Sequence, residues 1–234
     1  MDTESENGNC VLEVIACSVE DAVEAENGGA DRLEVVRDIA SGGYTPPLEL
    51  LRQIRSRVGL PLRVMLREQS GCGLTQVIAV EKLCCVANEL NKMKVDGVVI
   101  GFLHGKEVDL VMTRKILSCA PELNVTFHHA FEDVHDKFAA INEIKRIGRV
   151  DRILSHGGYG TQRQRIDNLS SYDKAGRPEI RILAGGRIDI EMISLLRRNT
   201  RIREFHIGGA ARENGRVTAR RVEMLSKAVL GAYV

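Results

Sequence analysis

What the 234-residue chain lacks narrows its class before any motif is read. No apolar run approaches the ~20 residues that a membrane-spanning helix needs. Hydrophobic residues at 44% and charged residues at 28% are nevertheless those of an ordinary globular chain. Residues 1–10 read as a polar tail: Met1 to Asn9 hold neither a basic start nor an apolar stretch, so no secretory signal is expected and the protein is expected in the cytoplasm. An excess of one charge is missing as well, and a formal net charge of +1 creates no field to draw nucleic acid or a membrane surface. The arginines of the last third, such as Arg197, Arg198, Arg220 and Arg221, read as solvated surface. None of the six cysteines stands in a C-x-x-C pair, and reduced thiols are expected. No Ser/Pro-rich linker breaks the chain, so residues 11–234 are read as one domain.

What is present is alternation. Short apolar segments, read as strands, are Val11–Cys17, Arg32–Val36, Leu62–Arg67, Gly97–Gly101, Asn124–His128, Arg152–Ser155, Ile180–Gly185 and Glu204–Gly208. Amphipathic segments between and after them predict helices at Ser18–Glu26, Leu48–Val58, Gln76–Lys94, Asp109–Cys119, Lys137–Ile147, Gln162–Asp173, Ile190–Arg198 and Thr218–Leu230. The first helix carries its own punctuation, with Ser18 as N-cap and Asn27-Gly28-Gly29 at its end. A strand–helix unit repeated eight times implies parallel strands joined by right-handed crossovers. The expected fold is therefore an α/β, single-domain (β/α)8 TIM-type barrel, with an open doubly wound sheet as the alternative.

Strand parity then sorts the side chains. The outer face of each barrel strand lies under helices and must be apolar, which assigns Leu12, Val14, Ala16, Leu33, Val35, Val125, Phe127, Phe205 and Ile207 outward. Glu13, Ile15, Cys17, Glu34, Arg63, Arg67, Thr126, His128, Glu204 and His206 are left facing inward. Of these, Glu13, Glu34, Arg67, His128 and His206 are the candidate catalytic residues, gathered toward the C-terminal mouth where barrels of this architecture keep their sites. A carboxylate and an imidazole in a partly desolvated mouth acquire shifted pKa values and can exchange protons with a substrate. The competing reading makes Glu13 and Glu34 structural partners of Arg63 and Arg67.

Glycine pairs close the seventh and eighth strands, Gly185-Gly186 and Gly208-Gly209. Backbone amides without Cβ atoms can approach a ligand closely, so these four are candidate anion-binding residues, with Arg187 or Arg212 supplying charge. For a metal, Cys17 is the candidate ligand, with His128 and His206 as partners for a soft ion. His128 and His129 point to opposite faces unless the strand ends there.

Asp31-Arg32-Leu33-Glu34, Ser41-Gly42-Gly43-Tyr44-Thr45-Pro46, Val125-Thr126-Phe127-His128 with Ala130-Phe131, and Glu204-Phe205-His206 together resemble the CutC family along nearly the whole chain. The resemblance implies a barrel, a cytoplasmic location, a homodimer or larger homo-oligomer, and a role in copper homeostasis or copper binding. It also marks departures. Ile15 and Val36 stand where family members often carry the cysteines proposed to hold Cu(I). The family's Arg-Pro-Arg-Gly-Gly-Asp run appears as Arg67-Glu68-Gln69-Ser70-Gly71-Cys72, and its Arg after the fifth-strand His is His129. The surviving inner wall favours an alternative: an enzyme acting on a small anionic metabolite, phosphorylated ones included, and requiring no cofactor. A structural or partner-binding oligomer is a third reading.

Overall fold

The computed structural model describes residues 10–73 and 77–232. Residues 1–9 of the expected tail, and Gln76 at the expected start of the third helix, lie outside the described residues. Among those described, eight parallel strands close into one barrel: β1 (Val11–Ala16), β2 (Arg32–Val35), β3 (Leu62–Met65), β4 (Gly97–Ile100), β5 (Asn124–Phe127), β6 (Val150–Ser155), β7 (Arg181–Ala184) and β8 (Glu204–Ile207). Closure comes from β8 pairing with β1, where Glu13 stands opposite His206. The open sheet is thereby excluded. Most strands stop a residue or two earlier than their apolar runs, because the chain turns as soon as it clears the barrel rim.

Among the described residues eight α-helices cover the outside: α1 (Val19–Asn27), α2 (Leu48–Arg55), α3 (Val77–Met93), α4 (Leu110–Ser118), α5 (Lys137–Lys145), α6 (Gln162–Gly176), α7 (Ile190–Asn199) and α8 (Ala219–Leu230). Local chemistry starts them. The side chains of Ser18, Asp109, Asp136, Thr161, Asp189 and Thr218 accept first-turn N–H groups that have no partner within the helix. The outward residues Leu12, Val14, Leu33, Val35, Phe127 and Phe205 form the apolar layer between strands and helices. No helix among the described residues is long and apolar enough to cross a membrane. Two short hairpins, Leu103–His104 with Glu107–Val108 and Arg212–Glu213 with Arg216–Val217, decorate the rim.

Inside the barrel, charge is layered. At the N-terminal end Arg63 bonds Asp96 at 2.9 Å and Asp151 at 2.7 Å, while Glu204 accepts from Arg152, Arg32 and Arg181. Arg32 also reaches Glu13 at 2.5 Å. The competing reading, which paired Glu13 and Glu34 with Arg63 and Arg67, is thereby corrected. The register sets Glu13 beside Arg32, and the Arg63 guanidinium turns down to the aspartates rather than up to the mouth. Burying Arg63 at 1% exposure is tolerable because its bidentate partner and Asp96 replace the lost water. Gly97 makes the room, since a Cβ there would overlap that guanidinium.

Candidate functional site

Above the ionic layer the C-terminal ends of the strands enclose a cavity of about 280 Å³. Ile15, Val36, Ile39, Met65 and Leu154 give it apolar walls; Glu34, Arg67, Cys72, His128, His129, Asp133 and His206 give it chemistry. A small number of polar groups converging in an apolar cleft is the usual form of a small-molecule site.

Its centre is a chain of three side chains from β1, β2 and β8. His206 donates through Nδ1 to Glu13 at 2.7 Å, and its Nε2 stands 3.4 Å from Glu34 Oε2. Burial alone would raise Glu13, but the Arg32 guanidinium and His206 override it and hold the carboxyl far below the ordinary carboxylate range. Burial pulls His206 down, and Glu34 together with Glu13 outweighs that and carries the imidazole above its ordinary value. Glu34 is only partly compensated: burial, with the charge of Glu13, outweighs the lowering pull of His206 and Arg32 and pushes it up to about 7. Its Oε1 is buried without a hydrogen-bond partner. Glu13 thus fixes the imidazole, and Glu34 exists in both protonation states near neutral pH.

On the opposite wall, His128 Nδ1 accepts the amide N–H of Ala130 at 3.0 Å, which leaves the proton of the neutral ring on Nε2. Burial, reinforced by the Arg67 guanidinium, pushes His128 down to about 3, so this ring stays neutral. Gly101 permits the arrangement, because a Cβ there would overlap the imidazole. Arg67 bonds the carbonyls of Gln69 and Gly42 at 3.1 and 3.3 Å and lies over the Tyr44 ring. None of these partners neutralises its charge.

Glu34, Arg67, His128 and His206 all line the cavity, and Glu13 stands directly behind His206. Cys17 and the four candidate anion-binding glycines are not among the lining residues. Arg212 donates to Cys17 Sγ at 3.4 Å, to the Ile15 carbonyl and to Asp21, while its Nε and Nη1 are buried without partners. Gly185 is fitted against Leu154 and His206, and its N–H goes to the Ser155 carbonyl. Gly186 has φ +71° and sits against His156. Gly208 abuts Ile15, whereas nothing lies within 4 Å of where a Gly209 Cβ would project.

Cys72, His129 and Asp133 also line the cavity, and none of them was among the candidate site residues read from the sequence. His129 was legible in principle. The strand ends at Phe127 and a 3-10 turn begins at His129, so the alternation stops and both adjacent imidazoles enter the cavity. Burial, with neighbouring His206 and His128, pushes His129 down to about 3, and its Nδ1 has no partner.

The CutC family model matches residues 10–211. A CutC family protein of Xanthomonas axonopodis pv. citri is 32% identical over 197 residues, covering 83% of this chain and 81% of its own. The human protein called copper homeostasis protein cutC homolog is 28% identical over 207 residues, 88% of this chain and 76% of its own. Among solved structures, the putative copper homeostasis protein CutC of Streptococcus agalactiae superposes with a TM-score of 0.76 at 20% identity, over 85% of this chain and 98% of that one. A phosphoribosylanthranilate isomerase of Pyrococcus furiosus reaches 0.63 at 13% identity, over 95% and 100%, a likeness of fold alone.

Proposed function

We propose, from the premise that this chain belongs to the CutC family, that its barrel mouth is an acid–base site for a small anionic metabolite. The observation that carries this reading is Glu34: 3% exposed, with one oxygen unpartnered and the other facing His206. A buried carboxyl that titrates near neutral pH is matched to giving and taking a proton at that pH. In this reading Glu34 exchanges the proton with substrate, and His206, oriented by Glu13, passes it on or stabilises the charge left behind. Arg67 binds the substrate anion. His128, neutral with its proton on Nε2, donates to the oxygen on which negative charge develops. A phosphorylated substrate would need a further contact at the turn from Gly208 to Arg212, whose Nε and Nη1 lack partners and which stands outside the cavity lining.

The name of the human relative raises copper. At the mouth, the positions that the family resemblance gives to thiols are the aliphatic walls Ile15 and Val36, and the lining thiol is Cys72. One thiol beside neutral imidazoles and an arginine is a poor donor set for Cu(I), which favours paired soft ligands. No step at the mouth is therefore routed through copper. A cytoplasmic location and a homo-oligomeric state are part of the proposal, carried by the family resemblance.

The test is a thermal-shift panel of small carboxylates, sugar phosphates and inorganic phosphate against the parent and Arg67→Ala. Stabilisation by at least one anion that disappears in a folded Arg67→Ala variant supports the reading. Indifference to the whole panel, or an equal response in the variant, contradicts it.

A further inference from the structure

The cavity at the mouth is richer in imidazole than in fixed cation, and that imbalance decides which anion fits it. Among the described residues that line it, Arg67 is the only Lys or Arg. Its Nε and Nη1 are engaged by the carbonyls of Gln69 and Gly42, and its Nη2 makes no hydrogen bond among the described residues. The charge of His206 is already met by Glu13 at 2.7 Å and Glu34 at 3.4 Å. Asp133, exposed at the rim, adds a negative charge of its own. His128 and His129, both held neutral mainly by burial, bring hydrogen-bonding nitrogens without charge. The His128 proton sits on Nε2, and the shielded Nδ1 of His129 has no partner.

We propose that the ligand of this mouth is a small monocarboxylate with a hydroxyl or carbonyl oxygen on the neighbouring carbon, and that phosphate monoesters and dicarboxylates are rejected. The proposal rests on the acid–base reading of the same cavity and names its substrate class. A carboxylate carries a single negative charge and is matched by a single guanidinium. A phosphate monoester carries about −1.5 to −2 at neutral pH, so part of its charge would stand uncompensated in a partly desolvated cavity. Glu34 and Asp133 would repel that excess more strongly than water-exposed carboxylates do. A neutral imidazole offers one N–H and one lone pair, which suits an uncharged oxygen and compensates no second anion. Arg67 stands close enough to His128 for its charge to depress that ring, so the guanidinium and the imidazole can grip neighbouring atoms of one small molecule. His129, on the same cavity wall, is the specificity residue: a cation in its place would admit the second charge. Ile15, Val36 and Leu154 leave an apolar surface for a short aliphatic remainder, and about 280 Å³ is at the small end of ligand sites.

The experiment ranks ligands of the whole chain by thermal shift and isothermal titration at about pH 7.5, where a phosphate monoester is mostly dianionic. The probes are lactate, pyruvate, propionate, malonate, phosphoglycolate and ribose phosphate. Lactate or pyruvate should bind the parent at least about tenfold more tightly than any of the other four. His129→Arg should raise the affinity for phosphoglycolate at least about tenfold, and His129→Leu should shrink the gap between lactate and propionate. Should those variants fail to fold, the ranking on the parent still decides. Malonate, phosphoglycolate or ribose phosphate binding the parent as tightly as lactate, with the response lost in a folded Arg67→Ala variant, overturns this inference and leaves the acid–base reading in place. Indifference of the parent to every probe overturns both. A lactate-to-propionate gap that is unchanged in folded His129→Leu overturns the part given to His129.

Discussion

His206 and Glu13 meet at 2.7 Å at the one seam where the first and last strands of the barrel pair, so closing the fold and orienting the imidazole are one event. Glu13 faces two ways, down to Arg32 at 2.5 Å and up to His206, and ties the ionic layer to the mouth. Because both partners are buried, Glu13→Gln leaves Arg32 and His206 undercompensated together. Removing one partner of a buried pair costs about 3–5 kcal/mol. Urea denaturation of Glu13→Gln should show a loss of that size, and a loss under about 1 kcal/mol would mean that the contact does not hold the mouth together.

Glu34 gives stability a pH dependence of unusual sign for a carboxylate. With its folded value raised from 4.5 to about 7, the native state holds the proton more tightly than the unfolded chain. The stability from that protonated form is complete below pH 4.5 and is lost as pH rises to 7. Glu34→Gln, neutral at every pH, should therefore gain on the parent by roughly 2–3 kcal/mol between pH 4.5 and 8. Parallel stability curves for the two proteins over that window would remove the basis for a neutral Glu34.

His128 runs the other way. Its value is depressed from 6.5 to about 3, so the stability of holding it neutral is present above pH 6.5 and lost as pH falls toward 3. His128→Gln should flatten the acid limb of the stability curve in that range. An unchanged acid limb would indicate that the ring is not held neutral by burial.

Two glycine substitutions separate space from conformation. A Cβ at Gly101 would overlap the His128 imidazole, whereas at Gly209 it meets nothing within 4 Å. Gly101→Ala should cost about 1–3 kcal/mol through overpacking and abolish any anion response that depends on His128. Gly209→Ala should stay within about 0.5 kcal/mol of the parent. Reversed costs, measured by thermal melts, would contradict the packing described at the two turns.

The inner wall was legible because strand parity has a period of two: once Leu12, Val14, Leu33 and Phe205 are outside, Glu13, Glu34 and His206 have nowhere else to face. Parity says nothing about which strand lies at which height. The partners of Arg63 and Arg67 follow from register and stagger, so the competing reading that gives Arg63 to Glu13 and Glu34 misses Asp96 and Asp151. Cys72 and Asp133 reach the cavity from loops, where no periodicity exists to place them. The rim hairpin at Asn214-Gly215 did carry a signal. Asn-Gly is a favoured two-residue hairpin turn, and both residues take positive φ, but four strand residues leave little alternation to read beside it.

The claim on which the mouth's chemistry rests is that Glu34 changes its proton near neutral pH. Glutamate labelled with carbon-13 at its carboxyl, assigned by comparison with Glu34→Gln, allows that group to be titrated directly by NMR in the folded protein. The account predicts an inflection for Glu34 near pH 7, with Glu13 remaining ionised throughout. A Glu34 inflection at or below 4.5 would contradict it.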